Sequence, residues 1–426
     1  MACAMKRRYA IMLFVLVALG AGLIWALLDR EPVREGRCRL IRKKAEPENR
    51  LTGLAARFLF PLDGKPDDVQ DAPSDFAQPR YYRIKSGDRS ILMAADHSKK
   101  MVRLCIDRDG DGVLSEERSL TAKVSKKTPV SSRRQQFGPI SLVSSADRRG
   151  TDANVYINCW RADRRGLLTT SPHFFRTGKL RLAGQTYQVA VVDGDYDGLY
   201  RSILSLPIER MWRLPECDVF AIDLNQNGSF EISLRDRSEV VPLGKLVKVR
   251  DTYYAIDIAP DSKSLTLSRA EPQLGTLTVD ANDAAVELRL WSDAADQHLL
   301  QCRERQLPAG KYKAVYAVLT KRDASGRTCA LASNTSSAFT RLGPLEYFEI
   351  QSGQTTSIRI GPPLVVKADV QTTRSGSVSI NPVIVGCGGE EYQAASSRGM
   401  QRPAPPAFKI VDEEGTVLVQ DRFKYG

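Results

Sequence analysis

The stretch CIDRDGDGVLSEE, Cys105 to Glu117, sets aspartates at alternate positions, Asp107, Asp109 and Asp111, and follows them at once with Gly112. Alternation matters because a tight loop turns every second side chain toward its concave side. A hard cation such as calcium needs six to eight oxygen ligands at about 2.3 to 2.6 Å, and such a loop supplies half of them. Gly112 permits the sharp turn after which a backbone carbonyl, here that of Val113, adds to the shell. Three carboxylates this close repel one another unless a cation lies between them.

The spacing returns twice. VVDGDYDGLYRS holds Asp193, Asp195, Asp197 and Gly198, and AIDLNQNGSFEIS holds Asp223, Asn225, Asn227 and Gly228. Each copy follows a short apolar run: Leu104 to Ile106, Val189 to Val192, Val219 to Ile222. One such motif is a common polar turn, but three in one context predict Ca2+ as the cofactor. The expected ligands are Asp107, Asp109, Asp111, Val113 and Glu117 in the first loop, Asp193, Asp195 and Asp197 in the second, and Asp223, Asn225 and Asn227 in the third. An EF-hand ends in a bidentate Glu at position twelve, and this chain has Arg118, Leu204 and Leu234 there. The missing acid must come from elsewhere, with Glu117, Asp218, Glu231, Asp236 and Glu239 as candidates. Strands rather than helices are expected after the loops, at Phe230 to Ile232 and Leu199 to Leu206. Few charged ligands imply weak sites, on the order of 10⁻⁴ to 10⁻³ M, useful only where calcium is abundant.

The N-terminus agrees with such a place. Lys6, Arg7 and Arg8 precede twenty uncharged residues, Tyr9 to Leu28, enough for a helix across a bilayer core of about 30 Å. Without a small-x-small cleavage site, residues 1–30 read as a signal anchor rather than a signal peptide; if cleaved, the protein is secreted. The basic flank from Arg30 to Lys44 opposes an outside body by the positive-inside rule, but long domains obey that rule less, and the body is placed in the periplasm or on the cell surface. Seven cysteines besides Cys3 are scattered singly, with no C-x-x-C; Cys302 and Cys329 can bridge within one module, and Cys105 reads as a core thiol.

A chain of 426 residues exceeds one core. Short apolar runs divided by Gly, Pro, Asn and Asp predict a mostly β, multi-domain architecture with one N-terminal transmembrane helix. Residues 31–80, charged and proline-bearing, read as a linker; 81–270 is the β domain with the three loops, closed by a hairpin at Pro260-Asp261; 274–362 is a β-sandwich whose last hairpin turns at Ser352-Gly353; 363–426 is a small C-terminal β unit. Basic residues between Lys123 and Arg165 account for much of the net charge of +12. They read as a solvated loop, with a patch for an anionic polymer as the alternative; no nucleic-acid motif accompanies them, and nucleic acid is not an expected partner.

The sandwich, with Leu307, Pro308, Gly310 and Tyr312 in an L-P-x-G-x-Y strand, resembles the immunoglobulin-like modules of bacterial surface proteins and the carboxypeptidase regulatory modules. The resemblance implies a binding or spacer module. The first loop resembles EF-hand and dockerin loops. The loop-bearing region, with Ser238-Glu239 and the hairpin strand Tyr253 to Ile258, resembles a group of uncharacterised secreted or envelope proteins of environmental bacteria. That implies a calcium-stabilised surface protein.

Catalytic signatures are missing. The three histidines, His97, His173 and His298, stand in unrelated contexts, and no H-E-x-x-H, G-x-S-x-G or P-loop pattern occurs. Only Asp96-His97 resembles an acid/base pair. The expectation is a non-enzymatic, membrane-anchored extracytoplasmic protein that binds an envelope glycan or protein ligand. The alternatives are a polysaccharide hydrolase using loop carboxylates and an anionic-polymer binder.

Overall fold

The computed structural model of the chain describes residues 35–45, 51–52, 55–98, 101–124, 134–142, 153–160, 166–207, 217–231, 239–300, 303–322, 328–334, 342–372, 378–394, 407–411 and 414–422. The N-terminal apolar segment lies outside them; among the described residues no helix is long and apolar enough to cross a membrane. The architecture is mostly β, with several sheets.

Two pairs of sheets make up the loop-bearing region. In the first pair, Pro79–Ser86, Arg89–Asp96, Arg103–Ile106 and Leu120–Thr121 form one sheet in chain order. A five-stranded sheet runs Arg57–Leu59, Leu168–Pro172, Asn154–Trp160, Arg134–Ser141, Lys123–Val124. They share a core containing Tyr82, Ile84, Met93, Leu104, Ile157 and Leu168. The chain-order sheet also buries its other face, where Tyr81, Leu92, Ala94 and Cys105 meet Val69, Phe76 and Leu114. Burial on both faces explains why ILMAA and LCI are unbroken apolar runs rather than alternating ones.

In the second pair, the order is Val240–Pro242, Val219–Ile222, Gln185–Val192, Phe174–Leu182, Ile41–Lys44. It packs Leu180, Tyr187, Val191 and Phe220 against Val247, Leu265 and Leu267 of a sheet ordered Arg37–Arg39, Ser264–Ala270, Thr252–Ile258, Leu246–Val249. The hairpin expected at Pro260-Asp261 joins the middle two strands of that sheet.

The described residues between 35 and 80 are not a linker. Arg37–Arg39 and Ile41–Lys44 are edge strands of two different sheets, with Cys38 and Leu40 in the core between them. Their charged side chains face solvent, as edge strands require to avoid pairing with other chains, and that exposure gives them a linker's composition. The acidic stretch Asp67 to Asp75 wraps the first loop: the Gln70 N–H donates to the Gly112 carbonyl at 3.0 Å and the Leu114 N–H to the Asp71 carbonyl at 3.0 Å. Strands are also absent where two were expected. Leu199 to Leu206 runs without ladder pairing, as do Phe230 and Glu231; Ile232 lies outside the described residues.

Among the described residues, two sheets enclose the core of the C-terminal region. Glu304–Pro308, Leu274–Asp280 and Thr355–Arg359 form the smaller. The larger runs Gln297–Leu300, Ala285–Ser292, Gly310–Arg322, Thr328–Asn334, Glu391–Ala394, Val378–Val385, Val365–Thr372. They enclose Leu277, Leu288, Leu307, Tyr312, Ile358 and Tyr392. Two expectations change. Phe348–Ile350 pairs with Gly310–Arg322 while Thr355–Arg359 pairs with Leu274–Asp280, so Ser352-Gly353 is a corner between sheets and not a hairpin. Val365–Thr372 and Val378–Val385 continue the larger sheet through Glu391–Ala394, so no sheet boundary falls at 363. Ala407–Val411 and Val417–Arg422 form a separate two-stranded sheet.

Asp96 anchors the wrapped segment. It is fully buried, and its carboxylate accepts hydrogen bonds from Arg103 Nη2 at 3.0 Å, the Ser98 N–H at 2.9 Å and the Ala77 N–H at 3.4 Å. Arg103 also bonds Asp75 and lies 4.7 Å over the Phe76 ring. Burial pushes the Asp96 carboxyl up, but the bonds from Ser98, Arg103 and Ala77 outweigh it and bring it down to about 2. Asp96→Asn is expected to lower stability by about 1–3 kcal/mol at neutral pH. A carboxyl depressed on folding contributes above its unfolded value of about 3.9 and loses that contribution as pH falls toward its folded value. The gap in denaturant midpoint between wild type and variant should therefore close between about pH 4 and pH 2.

Candidate metal centre

The three loops share one backbone design. The sixth-position glycines, Gly112, Gly198 and Gly228, have φ of +80°, +82° and +83°. The fourth positions are also left-handed, with Gly110 at +83°, Tyr196 at +61° and Gln226 at +60°. In each loop the glycine N–H donates to Oδ2 of the first aspartate, at 3.2 Å for Asp107, 2.9 Å for Asp193 and 2.9 Å for Asp223. The next N–H donates to the fifth-position side chain, at 2.8 Å for Asp111, 2.6 Å for Asp197 and 2.9 Å for Asn227. One fold of the loop is thus written three times.

In each loop an acid from the strand that returns alongside bonds the loop backbone. Leu104 pairs with Leu120, and continuing that register sets Glu117 opposite Asp107, where its carboxylate accepts the Arg108 N–H at 2.9 Å. Val192 pairs with Val219, which sets Asp218 opposite Asp193; it accepts the N–H groups of Gly194 at 2.9 Å and Ser202 at 2.7 Å. Ala221 pairs with Val240, so Glu239 falls one residue short of facing Asp223. Its longer side chain still accepts from Asn225 and Glu231, both at 3.0 Å. Of the five candidate acids, these three bond loop backbone N–H groups, and none of them belongs to either carboxylate triplet. Glu231 accepts the Asn227 amide at 2.9 Å, and Asp236 lies outside the described residues.

Carboxylate oxygens of Asp107, Asp109 and Asp111 come within 4.8 Å of one another, as do those of Asp193, Asp195 and Asp197. Either triplet can hold a metal ion, and an all-oxygen anionic donor set suits calcium rather than a softer metal. In the first loop Asp109 and Asp111 are exposed, and the Val113 carbonyl accepts only a long bond of 3.4 Å from the Glu116 N–H. In the third, Asp223 is buried but Asn225 and Asn227 are exposed, and the Asn227 Oδ1 is already bonded by Ser229.

The second loop is the most enclosed. Burial, and then the facing charge of Asp218, pushes the Asp193 carboxyl well above the usual range. Burial followed by Asp195 does the same to Asp218. Asp197 is pushed up to about 6, again by burial first and Asp195 second. Burial also raises Asp107. Arg57, which the sequence did not single out, bonds the Gly194 carbonyl and lies 4.6 Å over the Tyr196 ring.

The pair Asp96-His97 does not form an acid/base dyad: the Asp96 carboxylate is bonded by Arg103 and backbone, and His97 Nε2 sits 3.2 Å from the Tyr82 hydroxyl. Most of the basic stretch from Lys123 to Arg165, and Cys302, lie outside the described residues. Cys38, Cys105, Cys159, Cys217 and Cys387 are free thiols, and Cys105 is a core residue as expected.

No family model, curated protein or solved structure matches the chain.

Gly112 tests the first loop. A Cβ there would meet the Asp68 carbonyl oxygen at 2.2 Å as well as strain a φ of +80°, whereas at Gly110, φ +83°, nothing lies within 4 Å. Gly112→Ala is expected to cost about 2 kcal/mol or more, and Gly110→Ala about 1 kcal/mol, in denaturant unfolding.

Proposed function

We propose that this chain is a calcium-braced, non-enzymatic β-protein of the cell envelope, anchored to a membrane by its N-terminal segment, with its body outside the cytoplasm. The observation that carries the reading is the threefold repetition of one loop design, each copy closed by an acid from the returning strand. A turn that only reverses the chain has no need of buried carboxylates, and Asp107, Asp193, Asp218, Asp223 and Glu239 are all buried. Calcium is abundant outside the cytoplasm, which is where loops of this kind are of use. The sandwich serves as a spacer or presents a face to an envelope glycan or protein ligand, in keeping with its resemblance to bacterial surface modules. Kinship with envelope proteins that carry repeated D-x-D-x-D-G loops belongs to the same proposal.

A ligand that binds only the folded state stabilises it by mass action, by about 2.7 kcal/mol at a free concentration one hundred times Kd. Thermal unfolding of the full-length chain in millimolar calcium should show a higher midpoint than in excess chelator. Asp109→Ala should shrink that rise. An unchanged midpoint would reduce the loops to ordinary turns and remove the main support for the location.

A further inference from the structure

The loops differ in what encloses them. The first and third project into solvent at Asp109, Asp111, Asn225 and Asn227. The second is held from several directions: its backbone carbonyls accept from the Gly87 N–H (Asp195 O, 3.0 Å), from Ser86 Oγ (Tyr196 O) and from Arg57 (Gly194 O). From its fourth position Tyr196, 1% exposed, enters the core between the sheets of Pro79–Ser86 and Leu168–Pro172. There its hydroxyl donates to the Ala55 carbonyl at 2.7 Å and lies 2.9 Å from Thr170 Oγ1. The loop itself grows from Gln185–Val192, which belongs to the other pair of sheets.

A second observation points to a ligand. Asp193 is 2% exposed, and its Oδ1 has no hydrogen-bond partner among the described residues. That side chain lies within the 4.8 Å carboxylate triplet, with buried Asp218 beside it. An anionic oxygen buried without a partner is strongly disfavoured. With carboxylates facing it, a cation is the partner that fits.

We propose that the second loop, closed by Asp218, is the chain's tight calcium site, and that its ion couples the two pairs of sheets by holding Tyr196 in its seat. This rests on the calcium reading above and adds an order among the three loops and a task for one of them. Without the ion, Asp193, Asp195, Asp197 and Asp218 repel one another, the loop opens, and Tyr196 leaves the neighbouring core.

The test uses the full-length chain and calcium alone. Equilibrium dialysis against radioactive calcium should show one equivalent bound at least about tenfold more tightly than the rest, since site rigidity raises affinity at equal ligand charge. Asp193→Asn should abolish that equivalent, whereas Asp109→Asn should remove a weaker one. Hydrogen exchange on the wild type needs no variant to fold. Chelator should speed exchange at Arg57–Leu59, Gly87 and Leu168–Pro172, the segments that hold the loop and Tyr196. Survival of the tight equivalent in Asp193→Asn, its loss in Asp109→Asn, or unchanged exchange at those segments overturns the proposal and leaves the calcium reading standing. A chain that binds no calcium overturns both.

Discussion

Repulsion among carboxylates is the constraint on which the loop-bearing region depends. Two unit charges about 4 Å apart interact by roughly 4 kcal/mol at the effective dielectric of a protein surface, and the second loop gathers Asp193, Asp195 and Asp197 within 4.8 Å. Backbone N–H groups answer part of that charge, from Gly198 to Asp193 and from Gly194 and Ser202 to Asp218. Arg57 adds a guanidinium beside the loop. What remains is a cluster of acids within 4.8 Å of one another. The same tension, weaker because solvent screens it, is present in the first loop.

This arrangement was half legible in the sequence. The alternating aspartates and their glycines identify the loops because the turn geometry is local: a φ near +80° at Gly112, Gly198 and Gly228 needs no knowledge of the rest of the fold. The closing acids are a different matter. Asp218 and Glu239 each stand just before an apolar run, and that is a visible signal. Which acid serves which loop follows from antiparallel register, and register is a property of paired strands. Tyr196 shows the limit most clearly. In the sequence it is a spacer between two aspartates; in the fold it is a core residue of the neighbouring pair of sheets. The edge strands at Arg37–Arg39 and Ile41–Lys44 were hidden for the opposite reason, their exposed charges masking a pairing made by backbone alone.

The two C-terminal sheets meet the loop-bearing region close to the second loop. Leu204 and Cys217 pack with Trp291 and Val315, and the N–H groups of Lys245 and Leu246 donate to the carbonyls of Asp293 and Ala294 at 2.9 and 2.7 Å. Cys217 precedes Asp218 directly, and its carbonyl oxygen lies 2.0 Å from where a Cβ on Gly194 would be. Gly194 is therefore a position where any side chain would part the loop from its closing acid. Two regions and one loop meet within a few residues.

Closing each loop with a residue from the returning strand has a consequence for how such a protein changes over time. An EF-hand counts its ligands along one continuous segment, so an insertion inside it destroys the site. Here the chain after Ser202 and before Asp218, or after Glu231 and before Glu239, can lengthen or shorten without moving the closing acid, because the ladder sets its position. Such a protein can accept new segments between loop and strand while the loop and the acid that bonds it keep their pairing. A pattern search written in fixed spacings would lose sight of the site as those segments diverge. A graft of the loop into another scaffold would have to carry its neighbouring strand along with it.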